Sequence, residues 1–151
     1  MTTKIIQASV EEVALAAPLF DAYRQFYDQE SDLPGVVAFL TDRLARGESV
    51  LFLALDEKTS AGLGFIHLYP SFSSVRMRSI WILNDLFVAE TTRRRGVARL
   101  LMDAATDMAS STGAARLALS TAKDNVVARS LYLSLGYRLD ETFDYLELRL
   151  D

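Results

Sequence analysis

The sequence of 151 residues contains no cysteine and only one histidine, His67. Without cysteine, disulfides, thiolate nucleophiles and cysteine-ligated metals are excluded. A histidine metal cluster or a Ser-His-Asp triad would depend on His67 alone, so we expect no metal site. No apolar run approaches the ~20 residues that span a bilayer, and no linker or repeat divides the chain. We therefore predict one domain, residues 1–151, that does not act at a membrane.

The amount of charge is ordinary, and its balance is acidic. The formal net charge is −4, half of the residues are apolar and 24% are charged. This balance is typical of globular rather than disordered chains. An acidic chain has no general attraction to nucleic acid, so we expect no nucleic-acid partner. The N-terminal residues lack the apolar core of a signal peptide, which predicts a cytoplasmic location.

Short apolar segments alternate with turn residues, which predicts a mixture of strands and helices. Ser9 and Glu12 have the spacing of a capping box at a helix start, and Pro18 predicts that this helix is kinked or split. The three strands in the middle of the chain follow one another, which favours antiparallel pairing. The predicted elements are strand 4–8, a helix after Ser9, helix 32–47, strands 50–56, 63–69 and 79–88, a helix from Gly96 towards Gly113, strand 116–121, helix 125–135, and strands 137–139 and 145–150.

The most informative segment is a short basic turn between a strand and an amphipathic helix. Four of the seven residues from Arg93 to Arg99 are arginine, in a chain that is acidic overall. Gly96 and Ala98 stand where the helix begins, and small residues there let a ligand approach the backbone. A helix start carries unpaired N–H groups and partial positive charge, so it favours an anion. The alternative is a solvated basic turn whose charges oppose the helix dipole.

Two sequence blocks resemble the GNAT superfamily of N-acetyltransferases. RRRGVA, residues 93–98, fits the pattern (Gln or Arg)xxGx(Gly or Ala), and NVVARSLYLSLGY, residues 125–137, follows in the expected order and spacing. The resemblance implies an α/β fold with a mixed, mostly antiparallel sheet of about seven strands, helices on both faces and a splayed fourth strand. Its branch looks most like the acetyltransferases of histones, polyamines and D-amino acids.

The resemblance implies acetyl-CoA as the cofactor, with coenzyme A as the product. Backbone N–H groups of the basic turn would bind the pyrophosphate, and Arg93 or Arg94 would add a charge-assisted contact. A backbone N–H near Phe87 or Val88 would polarise the thioester oxygen. The predicted cofactor-binding residues are Phe87, Val88, Arg93, Arg94, Arg95, Gly96, Val97, Ala98, Arg99, Asn125, Ala128 and Tyr132.

Tyr132 is the candidate general acid, because GNAT enzymes commonly use a tyrosine here to assist the departing thiolate. A core tyrosine is the alternative. Asn125 has two interpretations as well, since the resemblance places it near the thioester while its position also suits a helix N-cap. It could serve both purposes.

Asn84 and Asp85 interrupt an otherwise apolar strand, IWILNDLFV. A buried carboxylate is costly unless it is paired or faces a cavity. The resemblance places a bulge and the substrate entrance here. Asp85 is thus a candidate base or ammonium-binding carboxylate, and a structural role at the bulge is the alternative. A base is needed because an alkyl amine with a pKa of about 10.4 costs roughly 4.6 kcal/mol to deprotonate at pH 7; Glu30 and Glu141 are less specific candidates.

Aromatic residues early in the chain suggest a wall around a substrate. The predicted substrate-binding residues are Tyr23, Tyr27, Tyr69, Asn84 and Asp85; core or dimer contacts are the alternative for the tyrosines. His67 is interpreted as a hydrogen-bonded structural histidine.

We predict direct acetyl transfer to a primary amine. The acceptor is a small amine, an amino acid or a polyamine, and a protein lysine is also open. A homodimer is expected by family analogy. The rival hypotheses are a non-catalytic acyl-CoA sensor and a phosphate-binding domain of another fold.

Overall fold

The computed structural model describes residues 2–151. The chain groups into two compact units, one ending at Leu119 and the other running from Ser120 to Asp151. A single functional domain stays a prediction. Across residues 2–151, no helix is long and apolar enough to cross a bilayer.

The first unit is a five-stranded sheet with helices on both faces. Its strands lie side by side in chain order, and all neighbours are antiparallel except the last two, which are parallel. The elements are β1 (Thr3–Gln7), α1 (Val13–Phe26), α2 (Leu33–Ala45), β2 (Val50–Asp56), β3 (Gly62–Ser73), β4 (Arg78–Val88), α3 (Val97–Ser111) and β5 (Leu117–Leu119), with short 3₁₀ turns at Val10–Glu12 and Glu90–Thr92.

The sheet is buried on both sides, which is why β2 and β3 read as continuous apolar runs. Helices α1 and α2 pack over one face, where Leu51, Leu53 and Phe65 join Phe20 in one cluster. Because side chains alternate along a strand, Phe52 and Ile66 face the opposite side. There α3 contacts β2, β3 and β4. The predicted mixed sheet, the antiparallel central strands and the parallel crossover are confirmed.

Several local predictions are also decided within this unit. The capping box at Ser9 and Glu12 is present. The predicted split at Pro18 is wrong, since α1 runs unbroken through it. Ala16, Ala17 and Phe20 are buried and hold both halves of the helix against the sheet.

Strand β3 also continues through a proline, Pro70, which lies opposite Trp81. The Trp81 N–H points away to Arg116, so this pair has no ladder bond for proline to lose.

The second unit contains one helix, α4 (Val126–Ser134). The prediction of about seven strands is not confirmed: the described residues form five, and residues 137–139 and 145–150 are not strands here. Their alternating apolar pattern is genuine, but a strand exists only when a neighbouring strand completes its hydrogen bonds.

Asp21 ties α1 to the start of α2. Its carboxylate accepts from the Ser31 hydroxyl at 2.6 Å and from the Asp32 N–H at 2.9 Å, while the Asp32 side chain caps α2 at Gly35. These bonds, the one from Ser31 foremost, hold the pKa of Asp21 below its ordinary 3.8. The link fixes the position of the second helix, which forms one wall of the cavity described below.

We expect Asp21→Asn to lower the thermal midpoint at pH 7 by a few degrees. A lowered folded-state pKa gives stability that is present above the unfolded pKa of about 3.9 and is lost as pH falls through the folded value. The difference between wild type and variant should therefore shrink below pH 4. Thermal unfolding followed from pH 2 to 7 tests this, and a difference that stays constant with pH would contradict it.

Candidate active site

A cavity of about 410 Å³ lies between α1, α2 and the bulged part of the sheet. Its lining combines aromatic rings with a few charged groups. The lining residues are Phe20, Tyr23, Arg24, Asp32, Gly35, Val36, Phe39, Tyr69, Asn84 and Asp85. A concave site of this size with few convergent polar groups is typical of small-molecule binding.

The floor of the cavity is built by a bulge in β4. His67 of β3 pairs with Asp85, but Leu68 pairs with Leu83, so Asn84 is an extra residue. On a regular strand Asn84 and Asp85 would face opposite sides; at a bulge two neighbours oppose one residue, and both line the cavity. The predicted bulge is confirmed.

The Asp85 carboxylate is held at both oxygens. Oδ2 lies 3.0 Å from Nδ1 of His67, and Oδ1 accepts from Nδ2 of Asn84 at 3.0 Å. An ionised carboxylate only accepts, so Nδ1 of His67 donates. His67 is fully buried, and within residues 2–151 no group bonds its Nε2. His67 is hydrogen-bonded as predicted, and its partner is the candidate base.

Aromatic rings surround this pair. The His67 ring centroid lies 4.9 Å from that of Tyr69 and 5.9 Å from that of Phe20. Burial, followed by the negative charge of Asp85, raises the pKa of Tyr69 to about 12. Tyr69 therefore stays a neutral phenol at physiological pH. Tyr23 also lines the cavity, whereas Tyr27 is exposed and is not among the lining residues. The Tyr27 ring contacts those of Tyr23, at 5.2 Å, and Phe26, at 5.3 Å.

Beyond the bulge, β4 continues without a partner from β5. The last parallel pair joins Leu83 to Leu119, although β4 runs on to Val88. The Ala89 N–H donates to Leu63 of the adjoining strand at 2.8 Å. Because N–H groups alternate along a strand, that of Val88 points to the unpaired edge and that of Phe87 to β3. Of the two donors predicted from the sequence, Val88 has the suitable orientation and Phe87 does not.

Gly64 allows the two strands to approach closely at this point. A Cβ on Gly64 would lie 2.6 Å from the Phe87 carbonyl oxygen and 3.1 Å from Cα of Val88. Any side chain there would displace the end of β4. Arg93 fixes the same end from the other side, since its Nε donates to the Val88 carbonyl at 3.0 Å and its guanidinium lies over the Phe87 ring.

The basic turn leads into α3 with an unusual backbone. Arg94 and Gly96 both have positive φ, +67° and +77°, and alternation of this kind forms concave arrays of N–H groups. Gly96 is the N-cap of α3; among the described residues no side chain caps this helix, and its first turn holds no acidic residue. By contrast, Asp32 and Asn125 cap α2 and α4. The start of α3 is thus exposed and open to an anion.

Comparison with known proteins decides the family. The family model described as "Acetyltransferase (GNAT) family" matches residues 16–137. This chain belongs to the GNAT family of acetyltransferases. The match spans the bulge and both blocks that carry the resemblance in the sequence, the basic turn and the segment that contains α4.

Individual relatives agree with this assignment. YhfO of Bacillus subtilis (strain 168), named an uncharacterized N-acetyltransferase, is 48% identical over 139 residues, 92% of each chain. A crystal structure of a probable acetyltransferase has a TM-score of 0.94 and 45% identity, covering 98% of each chain. The D-amino-acid N-acetyltransferase HPA3 of Saccharomyces cerevisiae is 30% identical over 89 residues, 59% of this chain and 55% of that one. The GNAT chain is therefore an acetyltransferase, and its relatives support acyl transfer.

The remaining candidate residues of this GNAT chain lie in the second unit. Asn125 caps α4 through its side chain, which accepts from the Ala128 N–H at 3.3 Å. Tyr132 is buried, and its ring centroid lies 5.9 Å from that of Tyr137. The Tyr137 hydroxyl is buried without a hydrogen-bond partner in residues 2–151, and burial raises its pKa. Asn125 thus performs the capping role that its position suggested.

In the part of the cavity formed by the first fifty residues, the sequence predicted Tyr23 but not the other lining residues. Phe20 and Arg24 of α1 and Val36 and Phe39 of α2 line it. These helices bring their residues over the sheet only through tertiary packing. The clustering of aromatic residues before Tyr27 was the one signal that the sequence offered.

Proposed function

We propose that this chain is an N-acetyltransferase that moves the acetyl group of acetyl-CoA directly to a primary amine bound in the 410 Å³ cavity. The observation that carries the proposal is Asp85. A bulge in β4 directs this carboxylate into an aromatic cavity, and beyond the bulge β4 continues without a partner from β5. A carboxylate beside an aromatic surface suits an ammonium group that must lose a proton.

The basic turn supplies a fitting site for coenzyme A. A Cβ on Gly96 would meet nothing within 4 Å, so the space beside this residue at the helix start is open. The backbone of residues 94–99 presents N–H groups there, and arginines surround them. Both features suit a diphosphate. When bound, acetyl-CoA supplies an acetyl group already activated as a thioester.

The end of β4 provides a backbone hydrogen-bond donor for the thioester oxygen in the same reaction. The Val88 N–H points to the unpaired edge of the strand, and Gly64 and Arg93 hold Val88 in place. A fixed backbone donor stabilises negative charge that develops on an oxygen and costs no reorganisation during the reaction. Val88 N–H is our candidate for the donor to the thioester oxygen.

Asp85 removes the proton from the acceptor amine. A pH of 7 is ~3.4 units below the pKa of a free alkyl ammonium, so nearly all of the amine is protonated. The enzyme therefore has to bind the ammonium form and remove its proton. His67 and Asn84 each occupy one lone pair of the carboxylate. This arrangement orients its remaining lone pairs, and the proton passes to Asp85 directly or through a water molecule.

The cavity favours a small acceptor with an apolar part. Phe20, Tyr23, Phe39 and Tyr69 offer ring surface, while Arg24 adds one positive group. We propose a small primary amine or an amino acid, whose ammonium Asp85 receives and whose carboxylate Arg24 attracts. The partial similarity to a D-amino-acid N-acetyltransferase supports this branch of substrates. A cytoplasmic location stays a prediction.

We expect Tyr132→Phe to lower kcat about 10-fold or more, because the departing thiolate loses its proton donor. Affinity for acetyl-CoA should change little, since only a hydroxyl is removed. Tyr137→Phe is the matched control in the same unit, and it should keep the kcat of wild type. Equal kcat for both variants, measured by thiol release, would refute the assignment of Tyr132 as the acid.

The decisive test combines binding with turnover. Calorimetric titration with acetyl-CoA should show saturable binding, and a panel of amines, amino acids and basic peptides should release free thiol from it. Saturable binding without thiol release from any acceptor would favour the sensor hypothesis. A preference for ATP over acetyl-CoA would instead indicate a phosphate-binding domain of another kind.

A further inference from the structure

Asn84 stands beside Asp85 at the bulge, and the direction of its amide group is fixed. Its Nδ2 donates to Oδ1 of Asp85 at 3.0 Å. An ionised carboxylate only accepts, so the NH2 end of the amide must face Asp85 and the carbonyl oxygen, Oδ1, must face away from it. Asp85 is fixed in turn, because its other oxygen lies 3.0 Å from Nδ1 of the fully buried His67. The orientation of Asn84 is therefore set from the interior of the protein.

The carbonyl oxygen of Asn84 and the carboxylate of Asp85 are close enough to bind one ligand atom together. Standard bond lengths place the oxygen and nitrogen of an amide about 2.2 Å apart, so Oδ1 of Asn84 lies no more than about 5.2 Å from Oδ1 of Asp85. Two acceptors that are each about 2.9 Å from one tetrahedral nitrogen lie about 4.7 Å apart, which is within that limit. Both residues line the cavity. A nitrogen in the cavity can thus donate to both of them at once.

We infer that Oδ1 of Asn84 accepts an N–H of the acceptor amine and holds its nitrogen beside Asp85. Asn84 is then a second ligand of the ammonium group, next to the carboxylate that takes the proton. This inference deepens the proposed function and rests on it for its catalytic meaning. It gives the extra residue of the bulge a role that is separate from its hydrogen bond to Asp85.

Asn84 binds the amine in both of its protonation states. When Asp85 takes the proton, one N–H bond breaks and its electron pair stays on the nitrogen. The neutral carboxyl group then loses the charge that strengthened its hydrogen bond to the ammonium. The amide of Asn84 is unchanged and still holds the neutral amine. The electron pair next forms the bond from nitrogen to the acetyl carbon, while the C–S bond breaks and its electrons leave with the sulfur.

This arrangement distinguishes amines by the number of their N–H bonds. A primary ammonium has three and can donate to Asp85 and Asn84 together. An N,N-dimethyl ammonium has one, so it donates to Asp85 and leaves the Asn84 oxygen against a methyl group. An acceptor that is desolvated without a partner weakens binding. The difference in affinity between these two cations therefore reports on Asn84, because Asp85 binds both of them.

The probes are phenethylamine and its N,N-dimethyl derivative, which are both cations at pH 7 and carry a ring that suits the aromatic cavity. The full chain is titrated calorimetrically in the presence of coenzyme A, which has no acetyl group to transfer. Wild type should bind the primary amine about 10-fold more tightly, the effect of one hydrogen bond in which a partner is charged. Asn84→Ala should abolish this ratio by weakening the primary amine alone. Phe39→Leu, which enlarges the cavity at another wall, should keep the ratio.

Two results would overturn the inference. One is equal affinity of wild type for the two amines. The other is a ratio that survives Asn84→Ala, because Asn84 would then act only through its hold on Asp85 and would affect both amines equally.

Asn84→Asp separates loss of the acceptor from damage to the bulge. It restores an oxygen at the same position, so it should bind phenethylamine more tightly than Asn84→Ala does. Equal affinities of the two variants would count against the inference.

These titrations do not depend on turnover. The expected binding pattern without thiol release from acetyl-CoA would refute the proposed transfer and leave Asn84 as an ammonium ligand. Thiol release together with an unchanged ratio in Asn84→Ala would refute the role of Asn84 and leave the transfer in place.

Discussion

Asp85→Asn should lower kcat/KM for a primary amine about 100-fold at pH 7. Loss of a positioned general base costs 10²–10⁴-fold in rate. Asparagine keeps the volume, and its single oxygen can still accept from His67, while the Asn84 amide can rotate to accept from the new NH2 group. The loss should therefore reflect proton transfer rather than collapse of the cavity. The measurement is the pH dependence of kcat/KM from pH 6 to 10.

The shape of that pH profile is the sharper readout. In the wild-type protein, where the base is present, kcat/KM should stop rising with pH at a pH well below the pKa of the amine. Without it, only the free amine reacts, so kcat/KM of Asp85→Asn should rise tenfold per pH unit towards about pH 10. Asp21→Asn removes another carboxylate from α1, outside the cavity lining, and it should retain the wild-type slope. An Asp85→Asn profile parallel to wild type would refute the role of Asp85.

Gly96→Val should weaken the binding of acetyl-CoA about 30-fold. A β-branched residue disfavours the φ of +77° found at Gly96, and its side chain would fill the open space beside this residue at the start of α3. A hydrogen bond to a charged group is worth roughly 1.5–3 kcal/mol. Loss of one such bond to the diphosphate therefore weakens binding by about 10- to 150-fold. Calorimetric titration measures the change directly.

The same helix provides a matched control for Gly96. Gly113 follows the other end of α3 with a φ of +73°, and a Cβ there also meets nothing within 4 Å. Gly113→Val should thus cost similar stability and leave the affinity for acetyl-CoA unchanged. If both variants lose affinity equally, strain in α3 explains the effect and the basic turn is not the binding site.

Much of the candidate site follows from local sequence patterns. The resemblance to the GNAT superfamily placed the bulge at Asn84 and Asp85, two polar residues that stand side by side in an apolar strand. The helix start at Gly96 was predictable because its glycine, its arginines and the apolar stripe of α3 are contiguous. In both cases the residues that allow the prediction are neighbours in the sequence, and the same residues form the structural feature.

Other features depend on residues far apart in the chain. The sequence could not predict that His67 donates to Asp85, because the partnership follows from the register of β3 and β4. It also could not choose between Phe87 and Val88, since the direction of each N–H depends on the hydrogen bond from Ala89 to Leu63. The two closing strands were not confirmed because an alternating pattern specifies a face but not a neighbour.

The sequence by itself determined the family, the mixed sheet with its parallel crossover, the bulge and the basic turn at the start of α3. Each rests on contiguous side chains whose burial or charge has a local cost. Only the tertiary structure decided that Asp85 is held by His67 and Asn84 and that α1 and α2 wall an aromatic cavity above it. These depend on which strands and helices meet, and that is set by packing of the whole chain rather than by any segment.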